Sequence, residues 1–82
     1  MKDNFKENVA AELRSLRSKN NLKQKEVAER AGIDIMTIVR YENNNVSMQL
    51  DMLEKIVNVY NMKIDIFFDN VYANMQRQRE ES

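Results

Sequence analysis

Residues 14 to 25 (RSLRSKNNLKQK) hold Arg14, Arg17, Lys19, Lys23 and Lys25 and no acid. Cations at this density can neutralise phosphates, even in a chain whose 13 basic and 13 acidic side chains sum to zero charge. The plain alternative is a solvated helix end. Residues 43 to 82 tilt the other way, with four basic and six acidic side chains. Other chemistries lack their atoms. The chain has no Cys and no His, which excludes thiol chemistry, disulfides, Cys/His zinc sites and histidine acid–base catalysis. It has no glycine-rich phosphate loop, and its acids are spread over solvated faces rather than paired. An enzyme is not expected: no catalytic residue, metal site or cofactor is assigned.

The elements that must position these cations are helices. Pro is absent and Gly occurs once in 82 residues, so long irregular loops are disfavoured, and the β-branched residues do not alternate as a strand requires. Phe5, Val9, Leu13 and Leu16 recur at helical spacing, which predicts a first helix over residues 5 to 19. Asn20 and Asn21 interrupt it, since Asn tolerates the left-handed conformation of a helix end. Residues 24 to 31 predict a short second helix with Val27, Ala28 and Ala31 on one side. Gly32 follows where a tight turn needs positive φ. Asp34 is a good N-cap for a third helix to residue 42, with Ile38 and Tyr41 inward.

Asn43, Asn44 and Asn45 predict a loop. Ser47 is the expected cap of a fourth helix over about 48 to 60, with Leu50, Leu53, Ile56, Val57 and Tyr60 inward. A short fifth helix is expected over 64 to about 68. Residues 69 to 82 are polar apart from Val71, Tyr72 and Met75, a tail or a helix extension toward a partner. The expected organisation is a domain over 1 to 68 and a tail over 69 to 82. The six methionines read as gap-fillers. No apolar run approaches the roughly 20 residues of a membrane span, and the charged start MKDNFKENVAAELRSLR lacks a signal core. A soluble, cytoplasmic protein without a membrane partner is expected.

A helix, a tight turn around a glycine and a second helix form the helix-turn-helix pattern. The first helix must lay its N-terminus and basic neighbours on phosphates, and the second must enter the major groove. Gln24 stands at the start of the first, flanked by Lys23 and Lys25. Ile35, Met36, Val39 and Arg40 take the outward positions of the second. Arg40 has no partner at i±4 and is either a bidentate guanine reader or a solvated cation. Ile35, Met36 and Val39 admit three readings: contact with thymine methyls, a protein-binding face, or a helix turned so that some of them are core.

Leu22, Gln24, Ala28, Gly32, Thr37, Ile38 and Glu42 stand at a specific spacing. With them the chain resembles the XRE, or lambda-repressor/Cro-like, helix-turn-helix family of bacterial and phage regulators. That family has the form LRxLRxxxgLtQxeLAxxaGvsxxTIsrxExG, then an apolar helix and a closing LgvsldeLf. Here the text is LRSLRSKNNLKQKEVAERAGIDIMTIVRYENN, then LDMLEKIVNVYNMKIDIFF, over about residues 9 to 68. The resemblance implies an all-α, five-helix, lambda-repressor-like DNA-binding domain. It implies that Gln24 hydrogen-bonds a phosphate and that Arg17 and Glu42 form a structural ion pair between helices 1 and 3. Ala28 would let helices approach, Gly32 would make the turn, and Leu13, Val27, Ile33, Ile38, Leu53 and Ile56 would be core. Asp34, Ile35, Met36, Thr37, Val39 and Arg40 belong to the recognition helix and its start, and Asn43 and Asn45 to the loop on the DNA backbone. The chain departs from the pattern at Ile35, Met36 and Val39, where the family is usually polar. It also departs at Lys23, usually a Ser or Thr cap, and at Asn44 and Met48, which replace a loop glycine and proline.

The function so implied is a sequence-specific double-stranded-DNA-binding regulator, a repressor by the family's habit, bound to a palindromic operator as a homodimer. The dimer contact is expected from Phe68, Val71, Tyr72 and Met75. At 82 residues a separate sensory domain is not expected. The alternative is a protein-interaction module on the same fold, such as the antitoxin of a toxin–antitoxin pair, whose partner would sit on the apolar third helix.

Overall fold

A computed structural model of the chain describes residues 5 to 81. They form five helices and no strand: α1 (Phe5–Lys19), α2 (Gln24–Ala31), α3 (Ile35–Glu42), α4 (Leu50–Asn58) and α5 (Ile64–Glu81). The first three close in the same way. After α1, the Leu22 N–H donates to the Arg17 carbonyl (3.1 Å) and the Asn21 N–H to Ser18 (3.1 Å). After α2, Ile33 donates to Ala28 (3.0 Å) and Gly32 to Glu29 (3.3 Å). After α3, Asn45 donates to Arg40 (2.9 Å) and Asn44 to Tyr41 (3.3 Å). This paired closure needs one left-handed residue. It falls on Asn21, Gly32 and Asn44, with φ of 55°, 70° and 57°. Asn is the side chain that bears this conformation best, so two of the three closures do without glycine.

The core draws on every helix: Val9, Leu13 and Leu16 from α1, Val27 and Ala28 from α2, Ile38 and Tyr41 from α3, Leu53, Ile56 and Val57 from α4, and Phe67, Val71 and Met75 from α5. α1 packs on α3 and α5, α2 on α3 and α4, and α4 on α5. The Tyr41 hydroxyl, at the end of α3, accepts the Gln49 N–H at 2.9 Å and so anchors the chain entering α4.

Several expectations are corrected. α4 begins at Leu50 with Gln49 as its N-cap residue, not at Met48 behind Ser47. The Tyr41 contact holds residue 49 extended, while Val46 and Met48 pack against the core. Leu50 lies on the apolar side of α4, but its turn overhangs the core and leaves it 63% exposed. α5 runs from Ile64 to Glu81, past the short helix expected to about residue 68, so that residues 69 to 81 take the helix extension that stood beside the tail as an alternative. Val71 and Met75 are buried in the chain's own core and have no surface to give a second copy. The reason is that α5 is long enough to lie along α1. Asn74 Nδ2 donates to the buried Glu12 carboxylate (2.9 Å), and Gln78 Nε2 to Asn8 Oδ1 (3.0 Å), which fixes that register.

Candidate nucleic-acid interface

The helix-turn-helix is built by local rules. α2 starts at Lys23, whose backbone N–H donates to the Glu26 carboxylate at 2.7 Å. A lysine ammonium has no acceptor to offer the helix, so this reciprocal half of a capping box stands in for the missing Ser or Thr. Gly32 turns the chain, and Asp34 caps α3 by accepting the Met36 N–H at 3.0 Å. Ile38 and Tyr41 then anchor the inner side of α3. The opposite face carries Ile35 and Met36, 40% and 46% exposed, with half-buried Val39 and exposed Arg40. Ile35 and Val39 are four residues apart, as are Met36 and Arg40, so the four form one contiguous face. Ile35 and Met36 lie outside the core, so the reading that turns them inward is ruled out.

Behind this face lies a polar hub on Glu42, which is buried. Arg17 Nε donates to Glu42 Oε2 at 2.8 Å, forming the expected ion pair. Gln24 Nε2 donates to Glu42 Oε1 at 3.0 Å. Arg14 donates to the Glu42 carbonyl, and a second Arg17 nitrogen donates to the Leu22 carbonyl at 3.1 Å. One carboxylate thus ties α1, α2 and α3 together, and the angle between the two helices of the motif rests on it. The hydrogen bond to Glu42 holds the Arg17 guanidinium protonated more firmly than usual, against the opposing effect of burial.

Tyr60 lies near the same hub. Burial raises its phenol to about 12, with Glu42 adding to the rise and Arg17 and Arg30 opposing it. The unfolded chain ionises first, near the ordinary 10.0. This contribution is therefore whole below about pH 10 and is lost between about pH 10 and pH 12. Thermal unfolding across that range is expected to show a steeper alkaline fall for the wild type than for Tyr60→Phe. Coincident curves would remove Tyr60 as its source.

The sequence-expected site residues divide into three groups. Lys23, Lys25, Asp34, Ile35, Met36, Arg40, Asn43 and Asn45 are exposed along α2, α3 and the following loop. Thr37 and Val39 are half-buried on α3. Gln24 is half-buried, and its amide faces Glu42, a contact that sequence spacing did not suggest. Of the four expected dimer residues only Tyr72 is exposed and Phe68 is half-buried. Both stand beside Phe5, whose ring centroid lies 5.9 Å from Phe68 and 5.4 Å from Tyr72. Phe5, Met48, Leu50 and Phe68 line one groove. The signal for Leu50 and Phe5 was present in their apolar type, but both looked like core.

Known proteins share this fold. The family model described as Helix-turn-helix matches residues 13–67. No curated protein sequence matches significantly. Among solved structures, the clp gene regulator ClgR from Corynebacterium glutamicum has a TM-score of 0.85 at 16% identity, covering 99% of this chain and 86% of that one. The wild-type restriction-modification controller protein C.Esp1396I has a TM-score of 0.82 at 17% identity, covering 92% and 99%. The same controller as a tetramer in complex with its natural 35 base-pair operator gives 0.83 at 17% identity over the same shares. At these identities the structural likeness is one of fold. With two helices joined at Gly32, the hub on Glu42 and the family match over residues 13–67, the chain belongs to the XRE-type helix-turn-helix family of DNA-binding transcription regulators.

Proposed function

We propose that the protein is a sequence-specific repressor that occupies a palindromic operator as a homodimer, acting in the cytoplasm from a bacterial or phage gene. The observation that carries this reading is the exposed face of α3 with exposed cations at its C-terminal end: Arg40 on α3 itself, and Lys23 and Lys25 at the start of α2, which the Gln24–Glu42 bond holds there. The first amides of α2 have no partner within the helix, and a phosphate drawn to those lysines would find donors there. Gln24 has a second amide hydrogen beyond the one given to Glu42, and this is its route to a phosphate. Asn43 and Asn45 follow on the loop. C.Esp1396I, of the same fold, is bound to a 25 base-pair operator site.

A single module of this size reads one half-site, so two-fold pairing is expected. The exposed apolar surface of Leu50, Phe5 and Tyr72 with Phe68 is the contact that supports pairing. Repression follows from occupancy, since a protein seated on a promoter excludes the polymerase.

The reading is tested by anisotropy titration of the full chain against duplex from its own upstream region and a scrambled duplex, at two salt concentrations. Tighter binding to the upstream duplex that weakens with salt is expected. Lys25→Ala is expected to lower the salt slope by roughly 1 per protomer. Equal or absent binding to both duplexes sinks the proposal and turns attention to a protein partner for α3.

A further inference from the structure

We infer that α3 reads thymine methyl groups, through Ile35 and Met36 with Val39 behind them, and that Arg40 reads one neighbouring guanine. This rests on the DNA-binding reading above and specifies what kind of half-site that reading requires.

The outward face of α3 has little to offer by hydrogen bonding. Ile35, Met36 and Val39 carry no donor or acceptor that can meet the polar edge of a base. Asp34 is engaged at the helix start by the Met36 N–H. Arg40 is exposed, and its guanidinium has no ion pair or hydrogen bond among the described residues. The major groove has one apolar feature, the C5 methyl of thymine, and guanine presents the paired acceptors that a guanidinium spans. A face of three apolar side chains and one arginine therefore selects thymines beside a guanine. Seating it on polar base edges would leave those edges without partners.

The surroundings favour DNA over a protein partner. The apolar part of the face comes from two side chains about half exposed and one half-buried, on a helix of eight residues. That area falls well short of the roughly 800 Å² per partner of a stable protein interface. Lys23 and Lys25 are exposed at the start of α2, which the Gln24–Glu42 bond sets beside the end of α3 that carries Arg40, while exposed Asp34 stands at the other end and Glu42 is buried in its hub. Cations at one end of a small apolar face complement phosphates beside a methyl-lined groove.

The test begins by selecting duplexes from a randomised library with the full chain, which defines the half-site. Each thymine of that half-site is then replaced by deoxyuridine, which removes the methyl and leaves base pairing intact. Replacement is expected to weaken binding roughly fourfold at each thymine that α3 touches, the worth of one buried methyl. The loss at one position is expected to vanish in Ile35→Ala, and at another in Met36→Ala. Both side chains are exposed, and unchanged melting temperatures would show that these variants keep the fold. A selected half-site without thymines, or one in which deoxyuridine is tolerated throughout, overturns this inference and leaves the DNA-binding reading standing. Selection of no duplex at all overturns both.

Discussion

Arg17→Met is expected to lower the stability of the fold by about 3 kcal/mol, because it leaves a buried carboxylate without its charge partner. The ion pair is asymmetric: the Glu42 side chain is 4% exposed and that of Arg17 is 25%. Without Arg17, Glu42 keeps only the Gln24 amide on Oε1, and Oε2 is left with no donor. The Leu22 carbonyl loses its donor as well. Glu42→Gln is expected to cost less, about 1 to 2 kcal/mol, because it strands a guanidinium that can reach water and keeps an amide for Gln24. The double variant is expected to recover part of the Arg17→Met loss, since the unpaired buried charge is then gone. Urea unfolding of the four proteins measures all of this. Equal losses from the two single changes, or strict additivity in the double, would show that the hub is not a buried ion pair in energetic terms. Because Glu42 joins α1, α2 and α3, the weakened variants are also expected to bind DNA less tightly than their folded fraction alone predicts.

Tyr72→Glu is expected to leave the chain folded but monomeric. The side chain is 58% exposed, and its stacking on Phe5 is worth no more than about 1 kcal/mol to the protomer. In the proposed dimer the same position lies within the apolar contact, where a carboxylate would be stripped of water with no partner. Two half-sites bound by one dimer gain from effective concentration, and losing that link is expected to lower affinity for a two-half-site duplex roughly a hundredfold. Affinity for a single half-site should stay near that of one wild-type module. Sedimentation velocity and paired titrations on the two duplexes separate these effects. A wild type that stays monomeric on and off DNA, or a variant that dimerises as well as the wild type, would remove the Phe5–Leu50–Phe68–Tyr72 surface as the dimer contact.

The helix-turn-helix was legible because its signals are local. The bounds of α1, α2 and α3 match those expected from apolar spacing, and Gly32 and Asp34 act as turn and cap. The helix-ending asparagines were also readable, since Asn is the commonest side chain that tolerates a left-handed residue. The Arg17–Glu42 pair came through the family resemblance, as the two residues are 25 apart in sequence. The errors share one cause. Val71 and Met75 stand in a polar stretch, and α5 with α1 beside it is what makes them core. Leu50 has the right spacing to be inward, but among the described residues none covers the first turn of α4, and it stays exposed.

By itself, then, the sequence determined an all-α chain, the place of its turn and recognition helix, and the cations beside them, because caps, turns and periodicity act within a few residues. Only the tertiary structure decided that Gln24 faces Glu42, that Val71 and Met75 join the core, and that Ile35 and Met36 are exposed. Burial and hydrogen-bond partners depend on what lies opposite in space, and for Gln24, Val71 and Met75 that neighbour is distant in the chain.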